Sequence, residues 1–272
     1  MRFAVNFSNP LIRLLKEDAV QIDLIKCPDW AGMLEEAKPY GPITIHFDLD
    51  AGLGTTLNVD FARIKDLKTQ TATPHVNTHL VTPSTFDPDS PQELEMINRL
   101  WRQEIQLMID HFGADQVALE HFPYTEANPN IKPAADSQIF SKVILDTGCM
   151  LLLDLAHARI TADTLGIPVK DYISALPLDR LVELHITGIR SHSGILTDHF
   201  GMEEADWEIL SWALEEISRG NWREPEFVAF EYGGVGDVFV WRTDSEVLKI
   251  QIPKLYEMVH KSSENIKKVY SR

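Results

Sequence analysis

The 272-residue sequence predicts an α/β fold, a (β/α)8 TIM barrel, on three observations. Eight short apolar or β-branched runs recur along the chain, and helical periodicity fills the intervals between them. No glycine-rich turn follows the first run, which reads Phe7-Ser8-Asn9-Pro10 where a doubly wound open sheet would carry its fingerprint.

The runs fall at 2–7, 20–25, 43–48, 75–81, 116–121, 150–155, 180–186 and 227–232, with helical patterns at 10–17, 28–37, 59–67, 91–112, 136–147, 169–176, 205–219 and 245–259. Asn9-Pro10 supplies an N-cap followed by proline at the first helical position. Ser90-Pro91 with Glu93 does the same and adds an acidic first turn. No Ser/Gly linker, repeat or low-complexity segment divides the chain, so residues 1–272 are expected to form one domain. The longest irregular stretches, 82–90, 124–135 and 189–204, all follow strands, and in a barrel such loops build the active-site face.

Composition narrows the function classes. With 44% hydrophobic and 24% charged residues, the chain can bury a sizeable core. No apolar run is long enough to span a membrane, and the opening residues lack signal-peptide regions, so a cytoplasmic protein is expected. Two cysteines, Cys27 and Cys149, make neither a disulfide framework nor a four-thiolate zinc site. A net charge of −16 argues against nucleic acid as a partner.

Buried barrel strands should not carry ionisable groups at their C-terminal ends without a reason, yet six consecutive strands do. They are His46 after Ile43-Thr44-Ile45, His79 after Val76-Asn77-Thr78, Glu120 after Val117-Ala118-Leu119, Asp154 after Leu151-Leu152-Leu153, His185 after Val182-Glu183-Leu184 and Glu231 after Val228-Ala229-Phe230. All six are expected at one rim. Carboxylates and imidazoles packed together are costly unless a cation neutralises them, so a metal cluster is predicted. His157, in Asp154-Leu155-Ala156-His157, and Asp198-His199 in the long seventh loop extend the candidate ligand set. The donors are oxygen and nitrogen only, which favours iron, manganese or zinc, and their number suits two or three divalent ions with Glu120 and Glu231 as bridges.

Other residues take lesser parts. Asn6, His121, Arg190 and His192 are candidate substrate contacts, and Asp48 with Asn6 lies at the same rim. His121 faces either the barrel wall or the site. His75, at the start of the fourth strand, lies away from the rim and reads as structural, as does His111; His260 reads as a surface residue on the last helix. Trp207, Leu210 and Trp212 fall at helical spacing and read as packing.

Several of these segments together resemble a known family. They are Pro42-Ile43-Thr44-Ile45-His46, Val76-Asn77-Thr78-His79-Leu80, Leu119-Glu120, Gly148-Cys149-Met150-Leu151-Leu152-Leu153-Asp154 and Ala175-Leu176-Pro177-Leu178-Asp179-Arg180-Leu181-Val182-Glu183-Leu184-His185-Ile186-Thr187-Gly188. They resemble the multinuclear non-haem iron-dependent oxidative enzymes of the methanobactin-biosynthesis type, within the wider xylose-isomerase-like superfamily of TIM barrels. The resemblance spans about residues 40–235. It implies two or three irons at the C-terminal rim and oxygen-dependent remodelling of a residue in a ribosomally made peptide. A separate protein that presents the peptide is a further implied partner. The chain departs from the family pattern at His121, at Ala156-His157, at Asp198-His199, which lacks a spacer, and at Ile189. Asp154-x-x-His157 instead is similar to the endonuclease-IV-type and sugar-epimerase branches.

Four functions therefore stand. The first is an oxidative iron enzyme acting on a peptide or small molecule. The second is a divalent-metal sugar isomerase or epimerase, in which Glu120, Asp154, His185 and Glu231 hold one ion and the two glutamates are the catalytic residues. The third is a zinc-dependent phosphoesterase, and the fourth a metal- or peptide-binding scaffold without turnover.

Overall fold

The computed structural model describes residues 1–270. Eleven strands are present among them: β1 (Arg2–Asn6), β2 (Leu24–Pro28), β3 (Ile43–His46), β4 (Asp50–Ala51), β5 (Val76–Leu80), β6 (Val117–His121), β7 (Met150–Asp154), β8 (Leu181–Ile186), β9 (Gly188–His192), β10 (Ile195–Phe200) and β11 (Phe227–Phe230). The helices are α1 (Asn9–Lys16), α2 (Met33–Ala37), α3 (Phe61–Gln70), α4 (Pro91–Phe112), α5 (Lys132–Ala135), α6 (Ser137–Thr147), α7 (Leu155–Leu165), α8 (Val169–Ser174), α9 (Glu204–Ser218) and α10 (Ser245–Tyr270). No helix among the described residues is long and apolar enough to cross a membrane.

Nine strands form one curled sheet in the order β3-β2-β1-β11-β8-β7-β6-β5-β4, and every paired neighbour is parallel. The expected closed eight-stranded barrel needs one correction, because the ladder does not run unbroken around the ring. Its two ends, β3 and β4, are halves of one extended stretch interrupted at residues 47–49. β3 pairs with β2, and β4 pairs with β5.

Asn77 on β5 spans this seam. Its Oδ1 accepts from the Phe47 amide at 2.8 Å, and its Nδ2 donates to the Phe47 carbonyl at 3.1 Å. A side-chain amide thus supplies the donor and acceptor that a continuous strand would have offered.

The interior holds two small apolar groups, Ala4, Leu24, Phe227 and Ala229, and Ala118, Met150, Leu152 and Val182. The main core lies between sheet and helices. On α4, Ile97, Trp101, Ile105 and Met108 recur at helical spacing and are all buried. The same helix carries Glu104, whose carboxylate accepts from the amides of Gly52 at 2.6 Å, Gly54 at 3.2 Å and Thr56 at 2.9 Å. Gly52 has φ of +119°, and a Cβ there would meet the Val81 carbonyl at 2.0 Å, so only glycine fits this turn.

Three other expectations shift. The second strand, read at 20–25, lies at Leu24–Pro28, because the charge of Lys26 masked a buried strand position. Leu155, expected at the end of the sixth strand, and residues 156–165, expected in neither strand nor helix, form α7, which begins directly at the end of β7 with Asp154 as its N-cap. The loop at 189–204 contains an antiparallel hairpin, β9–β10, rather than irregular chain.

Asn77→Ala removes both seam bonds and leaves Phe47 backbone groups unpaired. The expected loss in urea denaturation is about 2–3 kcal/mol, and an unchanged midpoint would show that the seam closes without this side chain.

Candidate metal centre

Parallel register sets the donors at one level. His79 is paired with Glu120 across β5–β6, and Asp154 with His185 across β7–β8. Because side chains alternate along a strand, one inward residue places those two positions away on the same face, so Glu183 and His185 both point inward, as do His75, Asn77 and His79. Glu231 follows β11 directly.

Around Glu120 the contacts are short. His79 Nε2 lies 3.3 Å from its Oε2 and His46 Nε2 4.0 Å, while His157 Nδ1 and His185 Nδ1 lie 3.3 and 3.5 Å from its Oε1. His185 Nδ1 is also 3.4 Å from Glu231 Oε2 and 3.7 Å from Asp154 Oδ2. Donor atoms converge in four groups: His46–His79–Glu120, Glu120–Asp154–His157, Asp154–His185–Glu231 and His46–Glu183–His185.

Among the described residues, Glu120 Oε2, Asp154 Oδ2, His185 Nδ1 and His46 Nδ1 are buried without a hydrogen-bond partner. Buried polar atoms are rarely left so, and orphans on residues of these converging donor groups fit bound divalent cations. The residues present therefore suit a metal cluster. Electrostatics agree: burial opposes the charge on Glu120, but His79 and His185 hold its carboxyl well below the usual range. Burial drives His46 well below its ordinary value, with Lys26 adding to the effect, which keeps that imidazole neutral.

Local backbone chemistry aims the later ligands. Asp154 Oδ1 caps α7 by accepting the His157 amide at 2.8 Å, which leaves Oδ2 for the centre. His157 Nδ1 donates to the His121 carbonyl at 3.0 Å, directing Nε2 to Asp198 Oδ2 at 3.0 Å. Asp198 reaches inward because the β9–β10 register shifts between Thr197 and Phe200, a bulge at which His199 takes φ of +59°.

Not every expected residue joins. His199 turns away, its Nδ1 3.1 Å from the Gly233 carbonyl and its ring against Phe239. His121 lies on the outward side of β6, fully buried among Phe140, Tyr172 and His157, where burial lowers it to about 4; alternation after Glu120 sends it into the wall. Arg190 is bound to Glu203 at 2.8 Å and to the Gly201 carbonyl at 2.7 Å. His192 is exposed on the hairpin beside Trp241. Asn6 is at the rim, 3.5 Å from the Gly233 carbonyl. Asp48 is exposed, its amide donating to Asp29.

A layer beneath the ligands escaped the sequence reading. Lys26 on β2 is 2% exposed, touches Glu231 Oε1 and lies 2.8 Å from His185 Nε2. Glu183 Oε1 is 2.6 Å from the same His185 nitrogen, and its Oε2 is 2.5 Å from His75 Nε2. His75, expected away from the rim and structural, stands at the lower end of this layer, its Nε2 on Glu183 and its ring stacked on Phe227, so that it supports the carboxylate that holds His185. Asp50 stands 3.7 Å from His79 Nδ1. Period-two spacing from His185 and His79 was the available signal for Glu183 and His75.

Asp154→Ala or His185→Ala is expected to lower bound metal roughly tenfold or more while circular dichroism stays that of the wild type; full occupancy in either variant would refute these ligands. A second expectation concerns the metal-free protein. Burial opposes charge on His157, yet Asp154, Asp198 and Glu120 raise it to about 10. Its folded value exceeds the unfolded one, so its stabilisation is full below about pH 6.5 and is lost as pH rises through about 10. Thermal melts across this window should show the wild type losing its advantage over His157→Gln; a constant gap would contradict the assignment.

Relatives of the chain can be set beside this geometry. The family model described as RiPP precursor modification enzyme MbnB/TglH/ChrH matches residues 28–221. A UPF0276 protein of Acaryochloris marina is 26% identical over 194 residues, 68% of this chain and 69% of its own. A UPF0276 protein of Caulobacter vibrioides is 30% identical over 87 residues, 32% of this chain and 30% of its own. Among solved structures, a D-psicose 3-epimerase aligns with a TM-score of 0.58 at 14% identity, covering 98% of this chain and 99% of its own. A 3-keto-D-glucoside 4-epimerase from E. coli gives 0.59 at 12%, covering 94% and 98%, and a family 2 AP endonuclease from Brucella melitensis gives 0.55 at 14%, covering 93% and 98%. These neighbours are xylose-isomerase-like TIM-barrel enzymes, and at such identities they share the fold alone. By the extent of the family match, the chain belongs to the MbnB/TglH/ChrH family of RiPP precursor modification enzymes.

Proposed function

We propose that this protein is a metal-dependent enzyme whose centre holds two or three ions, iron foremost, and that it oxidatively modifies a peptide or small molecule. The observation that carries the reading is the set of orphaned donor atoms shared by His46, Glu120, Asp154 and His185. Bound iron would supply Lewis acidity and redox chemistry towards oxygen. The chain's own residues hold the donors: Glu183 steadies the His185 ring, the His121 carbonyl steadies His157, and the bulge brings in Asp198.

The rim favours a peptide. Trp30, Phe122, Val238, Val240 and Trp241 are exposed on segments that follow strand ends, and Ile195 is exposed on the β9–β10 hairpin. Phe122 packs against both His79 and His157. Arg242 stacks on Phe200 and Trp241 and donates to the Asp198 carbonyl, so it is held within the rim. Such a collar suits apolar side chains flanking the reacting residue, delivered by the peptide alone or by a presenting protein.

A single-ion epimerase is the second reading, favoured by the convergence of Glu120, Asp154, His185 and Glu231. It leaves His46 and His79 without a role, although His79 sits 3.3 Å from Glu120.

Metal analysis and an optical spectrum of protein purified without oxygen test these readings. Two or three irons with a charge-transfer band that changes on admitting oxygen are expected. One manganese would favour the epimerase, three zincs the phosphoesterase, and protein free of metal would overturn the proposal.

A further inference from the structure

We propose that the Lys26 ammonium is a built-in cation occupying a position a metal ion would otherwise take, so that one of the four donor groups, His46–Glu183–His185, is closed to metal. This rests on the metal-dependent reading above and goes beyond it, since it concerns which groups can be filled.

The surroundings of Nζ are those of a metal rather than of an ordinary lysine. Glu231 Oε1 is in contact, His185 Nε2 is at 2.8 Å and Glu183 Oε1 at 3.7 Å, all from residues that belong to donor groups. The side chain is 2% exposed, and buried lysines are rare unless paired. It arrives from β2, where the register sets Lys26 beside Asn6 and Thr44, so its four-carbon stem crosses the interior to reach carboxylates on β8 and beyond β11.

The three contacts divide the donors. With Glu231 Oε1 held by Lys26, Oε2 is the oxygen that faces His185 Nδ1 at 3.4 Å. With His185 Nε2 donating its hydrogen to Glu183 Oε1 at 2.6 Å beside the Lys26 ammonium, Nδ1 is left as the nitrogen directed to the outer groups. An ion entering the His46–Glu183–His185 group would lie beside a fixed positive charge, an unfavourable contact in a buried setting. Each of the other three groups contains Glu120 or Asp154; of these, Asp154–His185–Glu231 shares His185 and Glu231 with Lys26 and stays open through His185 Nδ1 and Glu231 Oε2.

The experiment is a titration of metal-free protein with Co(II) and with Zn(II), followed by the cobalt visible spectrum and by metal analysis after gel filtration, for wild type, Lys26→Met, Lys26→Gln and Lys26→Arg. The neutral variants should each bind one more ion per chain than wild type, and Lys26→Arg the wild-type number. Equal stoichiometry in wild type and a folded neutral variant would overturn the inference while leaving the metal reading intact. No binding by wild type would instead remove the metal reading itself. If the neutral variants unfold without metal, recovery of the fold on adding Zn(II) supports the replacement of one cation by another; failure to recover counts against it.

Discussion

The centre is governed by one electrostatic constraint, the burial of four carboxylates, Glu120, Asp154, Glu183 and Glu231, all within 4 Å of the His185 ring nitrogens inside a curled parallel sheet. Carboxylates removed from water at that density require positive charge. Parallel register makes the crowding unavoidable, since each strand end presents its residue at the same level as its neighbour's. Lys26 and the surrounding imidazoles meet part of the demand; the orphaned atoms of Glu120, Asp154 and His185 show where the rest is unmet.

Two layers answer this constraint differently. The upper layer offers unpaired donor atoms, whereas the lower one is saturated: His75 meets Glu183, Glu183 meets His185, and Lys26 meets Glu231. Saturation below stiffens the rings above, because an imidazole held at one nitrogen has its other nitrogen aimed. The same economy appears at Asp154, which ends β7, caps α7 with one oxygen and leaves the second for the centre. Loops then complete what the strands begin. The bulged hairpin carries Asp198 to His157, and the exposed aromatic and aliphatic side chains of neighbouring segments frame the opening.

Most strands were legible from composition because their apolar runs are uninterrupted, and the six strand-end donors were legible because a charged group terminating such a run is conspicuous. Lys26 was hidden by the same logic: a lysine reads as the end of a buried strand, so β2 was placed too early. His121 and His199 each follow a donor directly in sequence, yet alternation turns the first into the wall and a left-handed residue at a bulge turns the second aside. The split of the third strand could not be foreseen either, because Asn77, the residue that bridges it, looks in sequence like any polar residue on a strand.

The sequence by itself determined the α/β class, the alternation of strands and helices, and the oxygen and nitrogen character of the donor set, since these depend on local periodicity and residue chemistry. Only the tertiary structure decided which donors meet, that Lys26 lies among them, and that the sheet's ladder breaks between β3 and β4. Those outcomes depend on inward or outward facing and on distances between segments far apart in the chain, which local pattern does not encode.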